Sequence, residues 1–438
     1  MLKMGREDNM TAREIALNTL YKIEIGEGYS NITLDKELSS SNLSNVDKAF
    51  VSQLVYGVLT WNLTLDEIIK KYSNIRLKKI SPWIINILRM GIYQIAFLTK
   101  IPESAAVNES VNLAKKYGHE ASSKFVNAIL RKISRDEVDK LINSLSESQY
   151  EDSEKIAILT SHPLWLVKKL LKQYDKKFVV ELLNANNIVP DTTIRVNSLK
   201  TSREDLAKLF DLKKVDYKLG NLQDSIFVKK LNNFDDQFFV VQDEAAQLAV
   251  LKLEPQCDEI ILDACSSPGG KTTYISALMK NTGKIEAWDI HPHRVELVKK
   301  MAEKLGATNI TARAVDATQY HSIYKEKFDR ILLDVPCSGI GVIRKKPDIK
   351  WTRKEEDLEE LKDTQAKILD ICRAYLKPGG TLVYSTCTVF KDENEVQIKN
   401  FLEKNQDFQL IEEIKLFPNV DNTDGFYIAV LKKFDSLE

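Results

Sequence analysis

The sequence contains no Cys-x-x-Cys pair, and its five histidines show no ligand spacing, so no structural zinc site is expected. It has no bilayer-spanning run either. The most apolar window, residues 83–98, is interrupted by Asn86, Arg89 and Gln94 and is too short to cross a membrane. No internal repeat and no low-complexity tract is visible. No secretory signal is recognisable, and the five cysteines (257, 265, 337, 372 and 387) are expected to be reduced thiols of a cytoplasmic protein. Net charge is absent as well: 63 basic residues balance 63 acidic ones over 438 positions, which alone neither indicates nor excludes a polyanionic partner.

The distribution of charge says more. Residues 70–140 carry 14 basic and 6 acidic side chains, whereas residues 1–69 carry 6 basic and 10 acidic. A basic block on a neutral chain is the footprint of a phosphate-binding face, with a solvated helical surface as the alternative. That block lies in a stretch that reads as all helix. Ala12, Ile15, Ala16, Leu20 and Ile23 keep the spacing of an amphipathic helix, and similar patterns run through 46–59, 63–72, 82–98, 105–117 and 122–133. Pro102 and Gly118 punctuate them, and short connections predict a compact bundle. The polar stretch 144–153 marks the end of this domain.

Beyond it the pattern changes twice. Helices resume from Lys155; short strands at 192–196, 225–228 and 238–242 then flank a helix near 202–210. From Glu259 strands and helices alternate, with strands at 260–264, 284–289, 309–314, 328–334 and 381–385 and helices at 271–279, 294–305 and 354–375. Such alternation predicts a parallel sheet with helices on both faces. The last two strands, 408–416 and 426–432, leave no room for a crossover helix and should pair antiparallel.

Three motifs fall at strand ends, where open α/β sheets bind ligands. The first is Asp263-Ala264-Cys265-Ser266-Ser267-Pro268-Gly269-Gly270-Lys271, whose glycines allow close backbone approach to a ligand. It is not a P-loop, which would need glycine at Cys265, and Gly339-x-Gly341 is followed by Arg344 rather than the glycine of a dinucleotide fingerprint. Asp289, at the next strand end, is placed to accept the hydroxyls of a ribose, and Asp316, past the third, to accept from an adenine amine. Either aspartate taken singly also fits a helix cap.

The other two motifs, Asp334-Val335-Pro336-Cys337 and Ser385-Thr386-Cys387-Thr388, each put a thiol just past a strand. Cysteines are usually core residues, and Cys257 and Cys372 fit that role; Cys265 fits either. Cys337 and Cys387 sit instead where a reactive thiol needs to be. One glycine loop and two thiols suggest a methyltransferase that attacks its substrate covalently, with a pyrimidine as target, because carbon 5 becomes nucleophilic once a thiolate adds at carbon 6. The segment from Arg344 to Trp351 offers positive charge for phosphates and an indole for base stacking, with an exposed basic loop as the alternative.

The stretches DACSSPGGKT, DVPCSGIGVIRKKPDIKW and YSTCTVFKDENE, with VQDEAAQ before them, resemble the signature segments of the RNA 5-methylcytosine methyltransferases. The chain departs from them at Cys265-Ser266-Ser267, where Cys-Ala-Ala is common. The helical N-terminal block is similar to a NusB-like RNA-binding domain, and this fusion resembles the RsmB-type (Sun) branch acting on bacterial 16S rRNA.

The resemblance implies a NusB-like bundle (1–142), a helical linker (143–188), a small α+β, RRM-like segment (189–245) and a class I, Rossmann-like methyltransferase domain (246–438). It implies S-adenosylmethionine as cofactor, held by Cys265, Ser266, Ser267, Pro268, Gly269, Gly270 and Lys271, with Asp289, Asp316 and Asp334. It also implies Cys387 as nucleophile, Cys337 as the thiol that assists product release, and Asp334 and Lys271 as further catalytic groups. RNA is the expected partner of a monomer without metal or membrane association. Transfer RNA, another rRNA site, or a non-catalytic RNA-binding factor are the alternative readings.

Overall fold

The computed structural model describes residues 10–26, 30–133, 138, 140, 144, 150–229 and 237–434. Its internal contacts divide the chain into two units, one of Met1–Asn187 with Lys346–Thr352, the other of Ile188–Lys345 with Arg353–Glu438. Half of the polar stretch 144–153 expected to end the first domain, residues 145–149, lies outside the described residues.

The first unit is helical. Its helices begin where side chains satisfy free backbone amides: Thr11 and Glu14 form a capping box ahead of Ala12–Glu24, Ser44 caps Asn45–Tyr72, and Ser81 caps Pro82–Phe97. The patterns at 46–59 and 63–72, read as separate helices, are one helix of 28 residues. No proline or glycine stands between them at 60–62 to end the first.

Pro82–Phe97 is buried on nearly all sides from Ile84 to Ile95, which accounts for its unbroken apolarity. Its polar exceptions are paired within the bundle. Arg89 grips Asp66 through Nε and Nη2 (2.8 and 2.9 Å) and Glu24 through Nη1 (2.7 Å), while Arg13 Nε donates to Gln94 Oε1. Helices Glu103–Tyr117 and Glu120–Leu130 pack against it.

Lys346–Thr352 belongs to this unit although its neighbours in sequence do not. The Lys350 ammonium is buried and donates to the carbonyls of Thr60 and Ser161 (both 3.1 Å) and to Asn187 Oδ1 (2.6 Å). Trp351 Nε1 donates to Leu59 O (2.6 Å), and Asp348 accepts from Ser30 N and Oγ.

The second unit holds two sheets. The smaller has four antiparallel strands in the order β2-β3-β1-β4: β1 (Thr192–Val196), β2 (Tyr217–Leu219), β3 (Ser225–Val228) and β4 (Phe239–Val241), packed with the helix Arg203–Leu212. The larger has seven strands in the order β10-β11-β9-β8-β5-β6-β7: β5 (Ile260–Asp263), β6 (Lys284–Asp289), β7 (Ile310–Ala314), β8 (Phe328–Asp334), β9 (Leu376–Thr386), β10 (Phe408–Leu416) and β11 (Phe426–Lys433). Strands β7-β6-β5-β8-β9 run parallel, and β11 pairs antiparallel with both β9 and β10, as the short final connection requires. This is the expected Rossmann-like architecture. The chain order reverses between β5 and β8, the switch point beside which such sheets bind their ligands. The helices Glu244–Leu253 and Glu395–Lys404, which the alternation alone does not reveal, cover parts of the sheet.

Candidate active site

The parallel register of β8 and β9 sets Asp334 opposite Ser385. From that pair one chain runs three residues to Cys337 and the other two residues to Cys387, and the sulfurs meet at 3.3 Å. Two thiols fifty positions apart in sequence are neighbours because their strands are. Beside them, Lys271 Nζ donates to Asp334 Oδ2 (2.6 Å), and Ser385 Oγ donates to Asp334 Oδ1 (3.0 Å), fixing both carboxylate oxygens. Burial works against the Lys271 ammonium, but Asp334, with the charges of Cys387 and Asp263, holds its pKa above the ordinary lysine value. The Cys337 thiol is pushed well up, first by its contact with Cys387, then by burial and by the charge of Glu393.

The glycine loop leaves β5 on the neighbouring strand. Ser266 donates to Trp288 O through both N and Oγ (2.8 and 2.9 Å), tying the loop to β6. Gly269 has φ of +109°, and a Cβ there would come within 3.2 Å of Val298 Cα, so the turn into the helix Gly270–Leu278 needs glycine. Ser267-Pro268 is cis. Cys265 is half-buried against the sheet core, its thiol pushed well up by burial. Asp263, buried at the end of β5, accepts from Thr272 Oγ1 (2.7 Å), and burial raises its carboxyl to about 7.

Asp289 Oδ1 accepts from His291 N (2.9 Å), and Asp316 Oδ1 accepts from Thr318 N and Oγ1 (2.9 and 2.7 Å). Each thus closes a turn with one oxygen, at the strand end where the sequence placed it.

The segment Arg344–Trp351 corrects its sequence reading. Arg344 reaches Asp424 (3.1 Å) and Asp243 (3.6 Å), and Lys345 bridges the same two carboxylates at 2.8 and 2.5 Å. With Lys350 buried and the Trp351 indole packed in the helical core, Lys346 is the one basic side chain of the segment that is exposed. Neither a phosphate-binding loop nor a stacking indole is presented there, because carboxylates about 80 and 100 positions away take up the charge.

Arg195 of β1 is a residue that motif reading misses. Fully buried, it donates through Nη1 to Gly270 O (2.5 Å) and Gln242 Oε1 (2.6 Å) and through Nη2 to Thr273 Oγ1 (3.2 Å), and it lies over the Tyr274 ring. Burial lowers its guanidinium to about 10. The small sheet is thereby fastened to the glycine loop, and Glu244 ties the helix Glu244–Leu253 to the turn before β3, accepting from the amides of Asn221 and Leu222. The only local signal is an arginine between Ile194 and Val196, both buried.

Comparison with known proteins places this geometry. Three family models match: "16S rRNA methyltransferase RsmB/F" over residues 250–432, "NusB family" over 10–135, and "Methyltr_RsmF/B-like, ferredoxin-like domain" over 162–234. The probable ribosomal RNA small subunit methyltransferase B of Bacillus subtilis is 37% identical, over 97% of this chain and 99% of that one. The chain belongs to the RsmB/F methyltransferase family.

Another RsmB relative, from Escherichia coli, is 35% identical over 94% of this chain and 96% of its own. Among solved structures, PH0851 superposes with a TM-score of 0.80 over 98% of this chain and 100% of that one; at 24% identity this is a likeness of fold. A methyltransferase homolog from Pyrococcus horikoshii, 25% identical, covers 65% of this chain and all of its own at a TM-score of 0.58. The cofactor of an RsmB/F enzyme is S-adenosylmethionine, and the glycine loop, the two strand-end carboxylates and the open backbone at Gly270, where an added Cβ would meet nothing closer than 3.5 Å, fit it. Among the described residues no group of three or more His, Cys, Asp or Glu is set to hold a metal, and no helix is long and apolar enough to cross a membrane.

Proposed function

We propose that this enzyme methylates carbon 5 of a cytosine in bacterial 16S rRNA through a covalent adduct on Cys387. The observation that carries the reading is the pair of thiols 3.3 Å apart beside the Lys271–Asp334 ion pair. Carbon 5 of cytosine is a poor nucleophile, and a thiol at carbon 6 is the group that activates it. The names of the RsmB relatives supply the substrate RNA, and family resemblance supplies the choice of Cys387 over Cys337.

In this reading the target base leaves the RNA stack and enters the site beyond β8 and β9. The Cys387 sulfur bonds to carbon 6, and the electrons of the 5,6 double bond shift to carbon 5, with Asp334 at the ring nitrogen. When bound, S-adenosylmethionine would supply an electrophilic methyl group to that carbon, its sulfonium–methyl bond breaking to leave S-adenosylhomocysteine. Residues 265–271 would hold it through the loop backbone, with Asp289 at the ribose and Asp316 at the adenine amine. Loss of the carbon 5 proton to a base then restores the double bond and expels the Cys387 thiolate, with Cys337 assisting. Lys271 orients Asp334 by donating to its Oδ2.

A denaturing gel of enzyme, labelled RNA and cofactor tests the roles. Cys387→Ala should abolish methyl transfer and form no adduct, while Cys337→Ala should accumulate a slowly migrating enzyme–RNA band. Full turnover in Cys387→Ala would overturn the nucleophile assignment.

A further inference from the structure

Behind the two thiols lies a buried polar layer that the steps above do not use. Its centre is the dipeptide Glu393-Asn394, both residues buried. Asn394 grips the Cys387 loop on either side of the cysteine: its Oδ1 accepts from Thr386 Oγ1 (2.6 Å), and its Nδ2 donates to Thr388 O (3.0 Å). Glu393 grips the other loop. Its Oε2 accepts from Ser338 N (2.8 Å) and from Gln365 Nε2 (3.0 Å), and the same Gln365 nitrogen donates to Pro336 O (2.9 Å). Cys337 is thus bracketed at Pro336 and Ser338 by one Glu–Gln pair. Ser338 Oγ and Thr388 Oγ1 join the two loops directly at 2.7 Å, and Tyr384 OH donates to Glu393 O (2.7 Å). The second carboxylate oxygen, Oε1, is buried with no hydrogen-bond partner. A carboxylate with one free buried oxygen is costly to keep unless its charge has a use.

Charges around the two sulfurs are unequal. On the Cys387 side stands the Lys271 cation, paired with Asp334. On the Cys337 side stand Glu393 and the Tyr384 hydroxyl, and Arg353 reaches only the far carbonyl of Ser338 (3.2 Å) while pairing with Asp357.

We propose that Glu393 is a positioning residue that assigns the two cysteines their separate roles: its carboxylate fixes the Pro336–Ser338 backbone, and its charge keeps Cys337 a thiol beside a nucleophilic Cys387. This rests on the covalent reading given above and extends it, since two sulfurs at 3.3 Å would otherwise compete for the same cytosine. The burial and contacts that raise the Cys337 thiol act in the same sense.

The test separates charge from grip. Glu393→Gln keeps an oxygen acceptor for Ser338 N and removes the charge; Gln365→Met loosens the grip and keeps the charge. Iodoacetamide labelling of Cys337, followed by peptide mass spectrometry across pH 6.5–9.5, is read in a Cys387→Ala background so that one sulfur is counted. Removing a like charge should speed Cys337 labelling about tenfold at pH 8 in Glu393→Gln and leave the profile unmoved in Gln365→Met. With Cys387 present, both variants should lose turnover while cofactor affinity stays within about twofold. A Cys337 profile unmoved by Glu393→Gln overturns the inference. The labelling needs no RNA, so its outcome is independent of the covalent reading, which instead fails if Cys387→Ala alone retains methyl transfer. Should Glu393→Gln not fold, as judged by circular dichroism, Asn394→Asp, which adds a charge beside Cys387, must lower turnover with the Cys337 profile unchanged, and a normal rate there overturns the proposal.

Discussion

Replacing Gly341 by alanine should cripple catalysis from a position with no side chain and no place in the cofactor loop. Gly341 N donates to Cys387 O (3.0 Å), and Gly425 N donates to Gly341 O (2.8 Å), so the two glycines buttress the loop that carries the proposed nucleophile. An alanine Cβ would stand 1.9 Å from Gly425 O and 2.9 Å from Cys387 O. Real Cβ contacts essentially never fall below 3.0 Å, so Gly425 and Gly341 must part by about 1.1 Å. The obstacle is backbone, which cannot swing aside as a side-chain tip can. A misplacement of ~1 Å at reacting groups costs on the order of a hundredfold in rate, or about 2.7 kcal/mol of barrier. Calorimetry should find S-adenosylmethionine binding within about twofold of wild type, and methyl-transfer kinetics should find kcat down about a hundredfold with KM for RNA little changed. A variant that melts like wild type and keeps kcat within about threefold would refute the claim that this contact sets the Cys387 loop.

Other outcomes follow from the same geometry. Asp289→Ala should weaken S-adenosylmethionine binding by roughly ten- to a hundredfold, the worth of a lost hydrogen bond to a charged group; calorimetry showing unchanged affinity would remove the ribose contact. The Asp263 carboxyl, raised by burial to about 7 from an unfolded value near 3.9, holds its proton in the folded state over that interval while the unfolded chain releases it, so it lowers stability as pH rises from about 4 to about 7. Asp263→Asn removes that slope, and in urea titrations its stability relative to wild type should climb by up to about 4 kcal/mol between pH 4 and 7.5 and then level off; a pH-independent difference would contradict the buried titration. Lys71, Arg76, Lys78 and Lys79 are exposed at the end of Asn45–Tyr72 and just beyond it. If they meet RNA phosphates, changing all four to glutamine should lower the slope of log affinity against log salt by about 3, and an unaltered slope would place the RNA elsewhere.

Legibility in the sequence followed the range of the interactions. The alternation of strands and helices, the glycine loop and the two strand-end cysteines are local patterns, and the sheet register then brings Cys337 to Cys387 without further help. The closing antiparallel pair was readable from loop length alone. What could not be read locally was which distant partner a polar residue meets. Arg344 and Lys345 look like a free basic loop until Asp243 and Asp424 are folded onto them. Arg89, counted in the basic block, is spent on Asp66 and Glu24 inside the bundle. Arg195 shows only as an arginine between two buried apolar residues, and Glu393 lies within YSTCTVFKDENE without its role being readable there, since each gets its place from partners tens of positions away. The 28-residue helix was missed for a different reason: the apolar spacing lapses at Thr60-Trp61-Asn62, yet nothing there breaks helical geometry.

The central claim is that a cytosine of 16S rRNA is methylated at carbon 5. Its most direct test is transfer of labelled methyl from S-adenosylmethionine to 16S rRNA, with 23S rRNA and transfer RNA alongside, followed by bisulfite sequencing of the labelled product. The account predicts label in 16S rRNA and one cytosine newly protected from conversion, both lost in Cys387→Ala. Label confined to transfer RNA, or methylation that leaves every cytosine convertible, would contradict it.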